Sequence, residues 1–394
     1  MAPTCKSGIS LALLLIFVML TLIMALMPIG THAFSFKLIP ITSLFPNNLT
    51  LLEKHNKLVK ISQHRQEQHS VIMITSISSS LVNSTNSTAK PNAVILRPSV
   101  RHRAPSGFYM VQVSIGSKLF SPYLVLDPGT DLTWVQCEGC TNCFPVRGSG
   151  NFKYQESQSY RKLPCNHTLC VPKLCTADGL YCRYDNRYLT STSSGLLSTE
   201  TFTFPTNMNQ TTVKYPSLLF GCGLDNQNLH FSAPNNVIAG ILGLSLSASS
   251  ILIQLQVVTK RRFSYCLTTS DWPTLLLFGD DAGISQRQSG LQKTPLVPGL
   301  PRYYVSMSGI SIDDKRLNIN PYVFRLKRDF KGGFVVDAGT PYSHLVDSAY
   351  KVLRQEMIQY IAQRYTGLRP IQRGMGAFDL CYNLTMCHGV NLSL

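Results

Sequence analysis

The chain has 394 residues, of which 44% are hydrophobic and 14% are charged. That balance allows one large core or two medium ones and excludes a wholly disordered chain. The formal net charge is +16, but no nucleic-acid recognition motif accompanies it, so we expect no nucleic-acid partner. Short runs of Val, Ile, Thr, Tyr and Phe between Gly, Pro, Asn and Ser clusters predict a mainly β protein.

Residues 1–33 have the layout of a secretory signal peptide. Lys6 precedes an apolar run from Ile9 to Met27, and small residues follow as far as Ala33. The run is also long enough to span a bilayer, so an uncleaved signal anchor is the alternative. We favour cleavage after Ala33, which predicts secretion, with the vacuole as a second destination, and no membrane span in the mature chain.

Residues 34–106 form a basic leader. Nine Lys and Arg residues stand there against Glu53 and Glu67, and the composition predicts weak order. A solvated linker is one interpretation; the other is a prosegment whose cations pair with an acidic cleft until its carboxylates are protonated. Without the leader and Lys6, 26 basic and 18 acidic residues remain, so much of the net charge lies in this segment.

The cysteines and the N-glycosylation sequons are typical of a secreted chain. Seven of the 12 cysteines lie between Cys137 and Cys182. In a reducing compartment the spacing Cys137-x-x-Cys140-x-x-Cys143 would indicate zinc or an iron–sulfur cluster, but after a signal peptide it indicates a disulfide-bonded loop. Setting Cys5 aside leaves eleven, so at least one has no partner in the chain. The sequons begin at Asn48, Asn83, Asn86, Asn166, Asn209, Asn383 and Asn391.

From Gly107 the pattern predicts β structure. The run "GFYMVQVSIG" alternates along residues 107–116, and the apolar run 123–126 leads directly into Asp127. The same pattern returns 210 residues later, where "FVVDAGTPYSHL" matches "LVLDPGTDLTWV". The duplication predicts two similar lobes that face one another, and each contributes one Asp, Asp127 and Asp337, to a shared cleft.

Two carboxylates within hydrogen-bonding range cannot both ionise easily, so they share a proton and titrate as a pair. One acts as a base on water while the other donates a hydrogen bond to the substrate carbonyl, which predicts peptide hydrolysis in acid. Gly129 and Gly339 allow close backbone approach, and Thr130 and Thr340 can orient the carboxylates. Glycosidases also use paired carboxylates, but nothing in the sequence indicates a sugar-binding cleft.

Farther along, residues 344–365 predict a helix whose apolar positions share one face, with Asp347 as its N-cap. Those positions are Ala349, Val352, Leu353, Met357 and Ile361.

Taken in order, these blocks resemble the plant nepenthesin-like aspartic proteases of the pepsin fold, over residues 107–382. The resemblance depends on "GFYMVQVSIG", "LVLDPGTDLTWVQCEGC", "SSGLLSTETFTF", "LLFGCG", "GILGL", "FSYCL", "LLFGD", "YYVSMSGISID" and "GGFVVDAGT". It implies a mainly β, bilobal fold, with residues 107–300 as the N-terminal catalytic lobe and its Cys-rich insertion, and 301–394 as a partial C-terminal lobe. It also implies a monomer that acts on protein or peptide substrates without a metal or cofactor.

The resemblance makes Asp127 and Asp337 the catalytic pair, with Gly129, Thr130, Gly339 and Thr340 as their support. It makes Tyr188 the tyrosine of the flap, a hairpin that closes over the substrate, and Trp134 its aromatic support. For Trp134 and Tyr188, ordinary core packing is the alternative. The small residues of "YLTSTSSG" suit a mobile hairpin, although the Gly-Asp that usually follows the flap tyrosine is missing.

Two departures from the family pattern keep a second function open. The family places Thr or Ser directly after each catalytic Asp, where its hydroxyl bonds across the lobe interface, but here Pro128 and Ala338 stand there. The chain also ends 57 residues after Asp337, so we expect an incomplete second lobe that lacks the partner of Cys222 or Cys381. A weak acid endopeptidase is the first hypothesis, and a non-catalytic pepsin-fold binder or inhibitor is the second.

Overall fold

The computed structural model describes residues 35–40, 48–50, 52–60, 62, 109–188, 191–205, 212–229, 234–267, 275–283, 291–340, 342–365, 367–371 and 378–383. The predicted signal peptide lies outside these residues, as does most of the leader. None of the helices in the described ranges has the length and hydropathy of a membrane span.

A twelve-stranded mixed sheet forms most of the structure. Its strands are β1 (Ser35–Pro40), β2 (Tyr109–Gln112), β3 (Ser114–Ile115), β4 (Tyr123–Asp127), β5 (Trp134–Gln136), β6 (Arg161–Lys162), β7 (Arg183–Arg187), β8 (Thr192–Pro205), β9 (Thr212–Gln227), β10 (Ile238–Gly243), β11 (Phe263–Tyr265) and β12 (Leu275–Phe278). Along the sheet they run β11-β12-β1-β2-β4-β10-β5-β9-β8-β3, and β6 and β7 pair with β8. The mainly β prediction is confirmed.

Two short ribbons and a long helix follow the sheet. One ribbon pairs β13 (Tyr304–Val305) with β16 (Phe334–Val335), and the other pairs β14 (Ser311–Ile312) with β15 (Lys315–Arg316). The long helix is Asp347–Arg364. Shorter helical segments lie at 52–60, Ile251–Gln254 and Gln256–Thr259, and single 3-10 turns lie at Tyr154–Glu156, Pro172–Leu174 and Pro321–Phe324. The long helix Asp347–Arg364 packs Ala349 against a small core around Leu317 and Phe324.

Strand β4 delivers the first Asp from the middle of the sheet. Residues 124–127 are all buried, because β2 lies antiparallel on one side of β4 and β10 lies parallel on the other. In this register Gly243 is opposite Asp127. A Cβ at Gly243 would lie 2.7 Å from the carbonyl oxygen of Asp131, so only glycine allows β10 this close to the turn.

The leader is more ordered than its composition predicts. Strand β1 lies between β12 and β2, and its Leu38 is fully buried. Thr50 and Glu53 cap the helix at residues 52–60: the Thr50 backbone N–H donates to Glu53 Oε2 at 2.7 Å, and the Glu53 N–H donates to Thr50 Oγ1 at 3.2 Å. The prediction of weak order is therefore wrong for these two segments, where a few apolar residues find burial despite the basic average.

The N-cap prediction for the long helix is also wrong. Val346 is the N-cap and makes no side-chain cap bond, while Asp347 is the first helical residue. The Asp347 carboxylate instead lies 2.7 Å from Lys351 Nζ, one turn farther along. Its charge is still favourable there, because the first turn of a helix attracts anions.

Four disulfides confirm the interpretation of the cysteines. They join Cys137 to Cys222, Cys140 to Cys143, Cys165 to Cys175 and Cys170 to Cys182. The expectation that Cys222 lacks a partner is wrong: β5 pairs with β9 so that Val135 lies opposite Cys222, which brings Cys137 within reach. Among the described residues, Cys266 and Cys381 are free.

Candidate active site

The first turn holds the Asp127 carboxylate with two hydrogen bonds. Asp127 ends β4 and is fully buried. The Gly129 backbone N–H donates to Oδ1 at 2.9 Å, and the Thr130 hydroxyl donates to Oδ2. Because both carboxylate oxygens are bonded from within the turn, the side chain has one fixed orientation.

The second turn repeats the same bonds. The Gly339 N–H donates to Asp337 Oδ1 at 2.8 Å, and the Thr340 hydroxyl donates to Oδ2 at 2.7 Å. Asp337 follows β16 and is half-buried, whereas Asp127 is inaccessible to solvent. The sequence duplication is thus a duplication of geometry, with one oriented carboxylate per copy.

Three hydrogen bonds connect the two turns. The Asp127 carbonyl accepts from the Leu244 N–H at 3.0 Å, and the Leu244 carbonyl accepts from the Tyr303 hydroxyl at 2.5 Å. The Tyr303 carbonyl then accepts from the Val336 N–H at 3.0 Å, one residue before Asp337. In addition, Ala338 packs against the core cluster of the first lobe. A short hydrogen-bonded path through Leu244 and Tyr303 therefore links the two turns.

Electrostatics agree with this placement. Burial raises the pKa of the Tyr265 phenol, and the negative charge of Asp337 raises it further. Tyr265 belongs to β11 of the main sheet, so the Asp337 charge is felt across the lobe boundary. Burial also raises the pKa of Tyr303. Both phenols are therefore neutral over the whole acid range.

The flap candidate is the hairpin of β7 and β8. Tyr188 follows β7, and its N–H donates to the Ser191 carbonyl at 2.8 Å across the tip. The Trp134 indole N–H donates to the Tyr188 hydroxyl at 2.8 Å, and both side chains are buried. This contact is what a supporting role for Trp134 requires, but core packing would bury the pair as well, so the role stays a prediction.

The leader helix, at residues 52–60, packs against the same region. Leu58 is 2% exposed and belongs to the apolar cluster that contains Trp134 and Tyr188. His55 Nδ1 is hydrogen-bonded to the Tyr342 hydroxyl, five residues after Asp337. Ser62 Oγ lies 3.3 Å from the Tyr342 carbonyl oxygen and 2.6 Å from His344 Nε2.

A signal for this helix was present in the sequence. The run T-L-L-E at residues 50–53 is a capping-box pattern, and Leu58 and Ser62 follow at helical spacing. Nothing in that pattern names Tyr342 as the partner, because the contact spans 280 residues or more.

Comparison with known proteins assigns the family. Residues 109–280 match the family model described as xylanase inhibitor N-terminal, and residues 302–393 match xylanase inhibitor C-terminal. Aspartic proteinase nepenthesin-1 of Nepenthes gracilis is 34% identical over 287 residues, which are 71% of this chain and 61% of that protein. Aspartyl protease AED1 of Arabidopsis thaliana is 30% identical over 352 residues, 86% of this chain and 70% of that protein.

The chain belongs to the plant pepsin-like aspartic protease family. It spans about three fifths of the length of the nepenthesins it matches. Solved structures of this fold include EDGP, with a TM-score of 0.57, 19% identity and coverage of 73% of this chain and 74% of that one. Basic 7S globulin from soybean has a TM-score of 0.54 and 20% identity, and covers 75% of each chain. At these identities the structural likeness concerns the fold alone.

Proposed function

We propose that this aspartic protease family member is an endopeptidase that hydrolyses peptide bonds in acid, with Asp127 and Asp337 as its catalytic pair. The observation that carries the proposal is the matched bonding of the two carboxylates in turns joined by a short hydrogen-bonded path. Protein or peptide substrates follow from the named activity of the relatives.

In the proposed reaction, one carboxylate takes a proton from a water molecule while the protonated partner donates a hydrogen bond to the substrate carbonyl. The water oxygen attacks the carbonyl carbon and forms a tetrahedral intermediate. The C–N bond then breaks, and the leaving amine receives a proton from the pair. The glycine N–H groups and threonine hydroxyls of the turns fix the carboxylates, so little reorganisation is needed during the step.

The leader acts as a prosegment in this proposal. Its helix covers the cluster around Tyr188 and bonds to Tyr342, so a substrate and the helix would compete for the same space. The helix also carries the exposed cations Lys57 and Lys60 beside half-buried His55. We expect acid to weaken the docking, because protonation of carboxylates in the cleft removes the negative charge that attracts a basic segment.

A second candidate is a non-catalytic binder or inhibitor. Pro128 is buried and Ala338 half-buried at the lobe interface, and neither side chain can donate the hydroxyl bond expected from the family pattern. A displacement of a catalytic group by about an ångström can cost about a hundredfold in rate. The family models are themselves described as xylanase inhibitor domains, which gives this candidate a specific support.

Digestion of acid-denatured globin distinguishes the two candidates. We expect pepstatin-sensitive cleavage by the acid-incubated full chain near pH 3–4, lost in both Asp127→Asn and Asp337→Asn and kept in Asp329→Asn, which changes an exposed Asp. The double variant Pro128→Thr, Ala338→Ser should cleave faster. If neither the native protein nor that double variant cleaves, the binder becomes the better proposal.

We further propose that the chain enters the secretory pathway. The sequon asparagines Asn48, Asn166 and Asn383 are exposed, as glycan attachment requires. Expression in a plant cell should give a product whose mobility increases on treatment with a glycan-removing enzyme. Full-length, unglycosylated protein in the cytosol would overturn this proposal.

A further inference from the structure

Arg302 is a fully buried cation at the interface between the lobes. Its side chain is 0% exposed and is among the largest of those with no solvent contact. Its Nη1 and Nη2 atoms make no hydrogen bond to any residue in the described part of the chain. Burial of a charged guanidinium whose two Nη atoms have no hydrogen-bond partner is strongly unfavourable unless an anion lies close by.

Among the described residues, the one hydrogen bond that the Arg302 side chain makes leads to the first Asp turn. Its Nε–H donates to the Gly129 carbonyl at 2.9 Å, and the N–H of the same glycine donates to Asp127 Oδ1 at 2.9 Å. Arg302 also precedes β13, which pairs with β16, the strand that leads to Asp337. The guanidinium is therefore anchored to one turn by its side chain and to the other by its backbone.

The charges balance at this interface. Two carboxylates that share one proton carry a single negative charge, and Arg302 carries a single positive charge. The bond from Arg302 to Gly129 also crosses the lobe boundary at a turn where Pro128 supplies no hydroxyl. Asp131, two residues beyond Gly129, is the other acid of this turn and is the alternative counter-ion.

We propose that Arg302 is a positioning residue whose buried cation fixes the first Asp turn against the second lobe and balances the negative charge shared by Asp127 and Asp337. This inference rests on the proposed function only for the statement that the two carboxylates act as a pair. Its structural part, a buried cation coupled to these carboxylates, stands on Arg302 itself.

The other titratable groups around the pair are phenols, one further acid and a histidine. Tyr265 lies beside Asp337, Tyr303 bonds to Leu244, and Tyr304 lies beside Arg302, whose positive charge opposes the burial that raises the Tyr304 pKa. These three phenols stay neutral in acid. Asp131 is tested below. His344 contacts Ser62 of the leader. The comparison is made at pH 2.5 and pH 5, both below the pKa of about 6.5 that is ordinary for histidine.

The experiment measures urea unfolding of the full chain at these two pH values. In Asp127→Asn, Asp337→Asn the pair has no negative charge, so Arg302 is uncompensated at both pH values. We expect this double variant to match the native chain at pH 2.5 but to show about a tenfold larger unfolding constant at pH 5. Equal stability at pH 5 would overturn the proposal, and so would the same loss in Asp131→Asn alone.

Variants of the arginine give the reciprocal result. Arg302→Met should raise the unfolding constant more at pH 5 than at pH 2.5, and this excess should vanish in the Asp127→Asn, Asp337→Asn background. Arg302→Lys, which keeps the charge, should recover most of the excess, and exposed Arg328→Met should show none. A loss independent of pH, or no advantage of Lys over Met, would make Arg302 a packing residue and overturn the proposal. If the Met variant does not fold, the carboxylate variants still decide.

Activity supplies an independent readout. A cation beside the pair favours its ionised form, so the acid limb of the pH–rate profile of Arg302→Met should lie about one pH unit higher than that of the native protein. An unshifted limb with a lower rate would contradict the charge-balancing role. If the native protein shows no proteolysis, the proposed function fails while the stability comparison still tests Arg302.

Discussion

The docking of the leader helix depends on Leu58, and Leu58→Ala should release it. Leu58 is 2% exposed in the cluster around Trp134 and Tyr188. Truncation of a buried leucine to alanine costs about 2–5 kcal/mol. If about 2–3 kcal/mol of this is lost only from the docked state, the undocked population rises by about 30- to 150-fold.

Limited trypsin digestion at neutral pH measures that population without any need for activity. Lys57 and Lys60 are exposed, but while the helix is docked its backbone cannot adopt the extended form that a protease binds. Cleavage through a transiently undocked state follows the undocked population. We therefore expect cleavage at these lysines to accelerate by about 30- to 150-fold in Leu58→Ala.

The control is Leu180→Ala, the same chemical change at a leucine that is 58% exposed. It should leave the rate of cleavage in the leader unchanged. A native rate in Leu58→Ala would refute the reasoning, because the helix would then be held by contacts other than its buried face. General cleavage across the sheet would instead show that the variant had unfolded the whole protein.

Three further changes test the fold around the site. Gly243→Ala places a methyl group 2.7 Å from the Asp131 carbonyl oxygen, so we expect about a hundredfold loss of globin cleavage with pepstatin binding weakened in parallel. Loss of the Cys137–Cys222 disulfide, which closes 85 residues, should lower the free energy of unfolding in urea by about 2–4 kcal/mol. Burial raises the pKa of Tyr215 to about 12, so the free energy of unfolding should fall as the pH rises from 10 to 12. In urea titrations over this pH range, Tyr215→Phe should make the fall smaller by about 1 kcal/mol.

Each change has a matched control. Gly283→Ala adds a methyl group 3.1 Å from the Asp280 carbonyl oxygen, away from the Asp turns, and should keep activity. Removal of Cys140–Cys143, which are 3 residues apart, should cost less than removal of the long-range disulfide, and an equal cost would contradict the loop-closure argument. Tyr322→Phe changes a tyrosine that is 66% exposed and should leave the alkaline fall unaltered.

Local patterns were enough to predict the parts of the structure that are repeated or strongly periodic. The two Asp-x-Gly-Thr turns could be paired from the sequence because each follows an apolar strand. The first turn and its buried strand follow from residues 123–130 alone. The disulfide interpretation followed from cysteine density.

Features that depend on distant contacts could not be predicted in the same way. Cys222 finds Cys137 because β5 and β9 are neighbours in the sheet, which no spacing reveals. Arg302 is one of 36 basic residues, and nothing near it in the chain indicates burial. Asp347 matched a cap pattern, but the backbone enters the helix one residue earlier. These outcomes were decided by tertiary packing, which outweighs local propensity.

The central claim is that Asp127 and Asp337 act as one unit, and pepstatin binding at pH 4 by calorimetry tests it most directly. We predict that Asp127→Asn and Asp337→Asn each lose nearly all of the binding, and that the double variant loses no more than either single variant. Losses that add in the double variant, or binding that depends on only one of the two residues, would contradict a shared site.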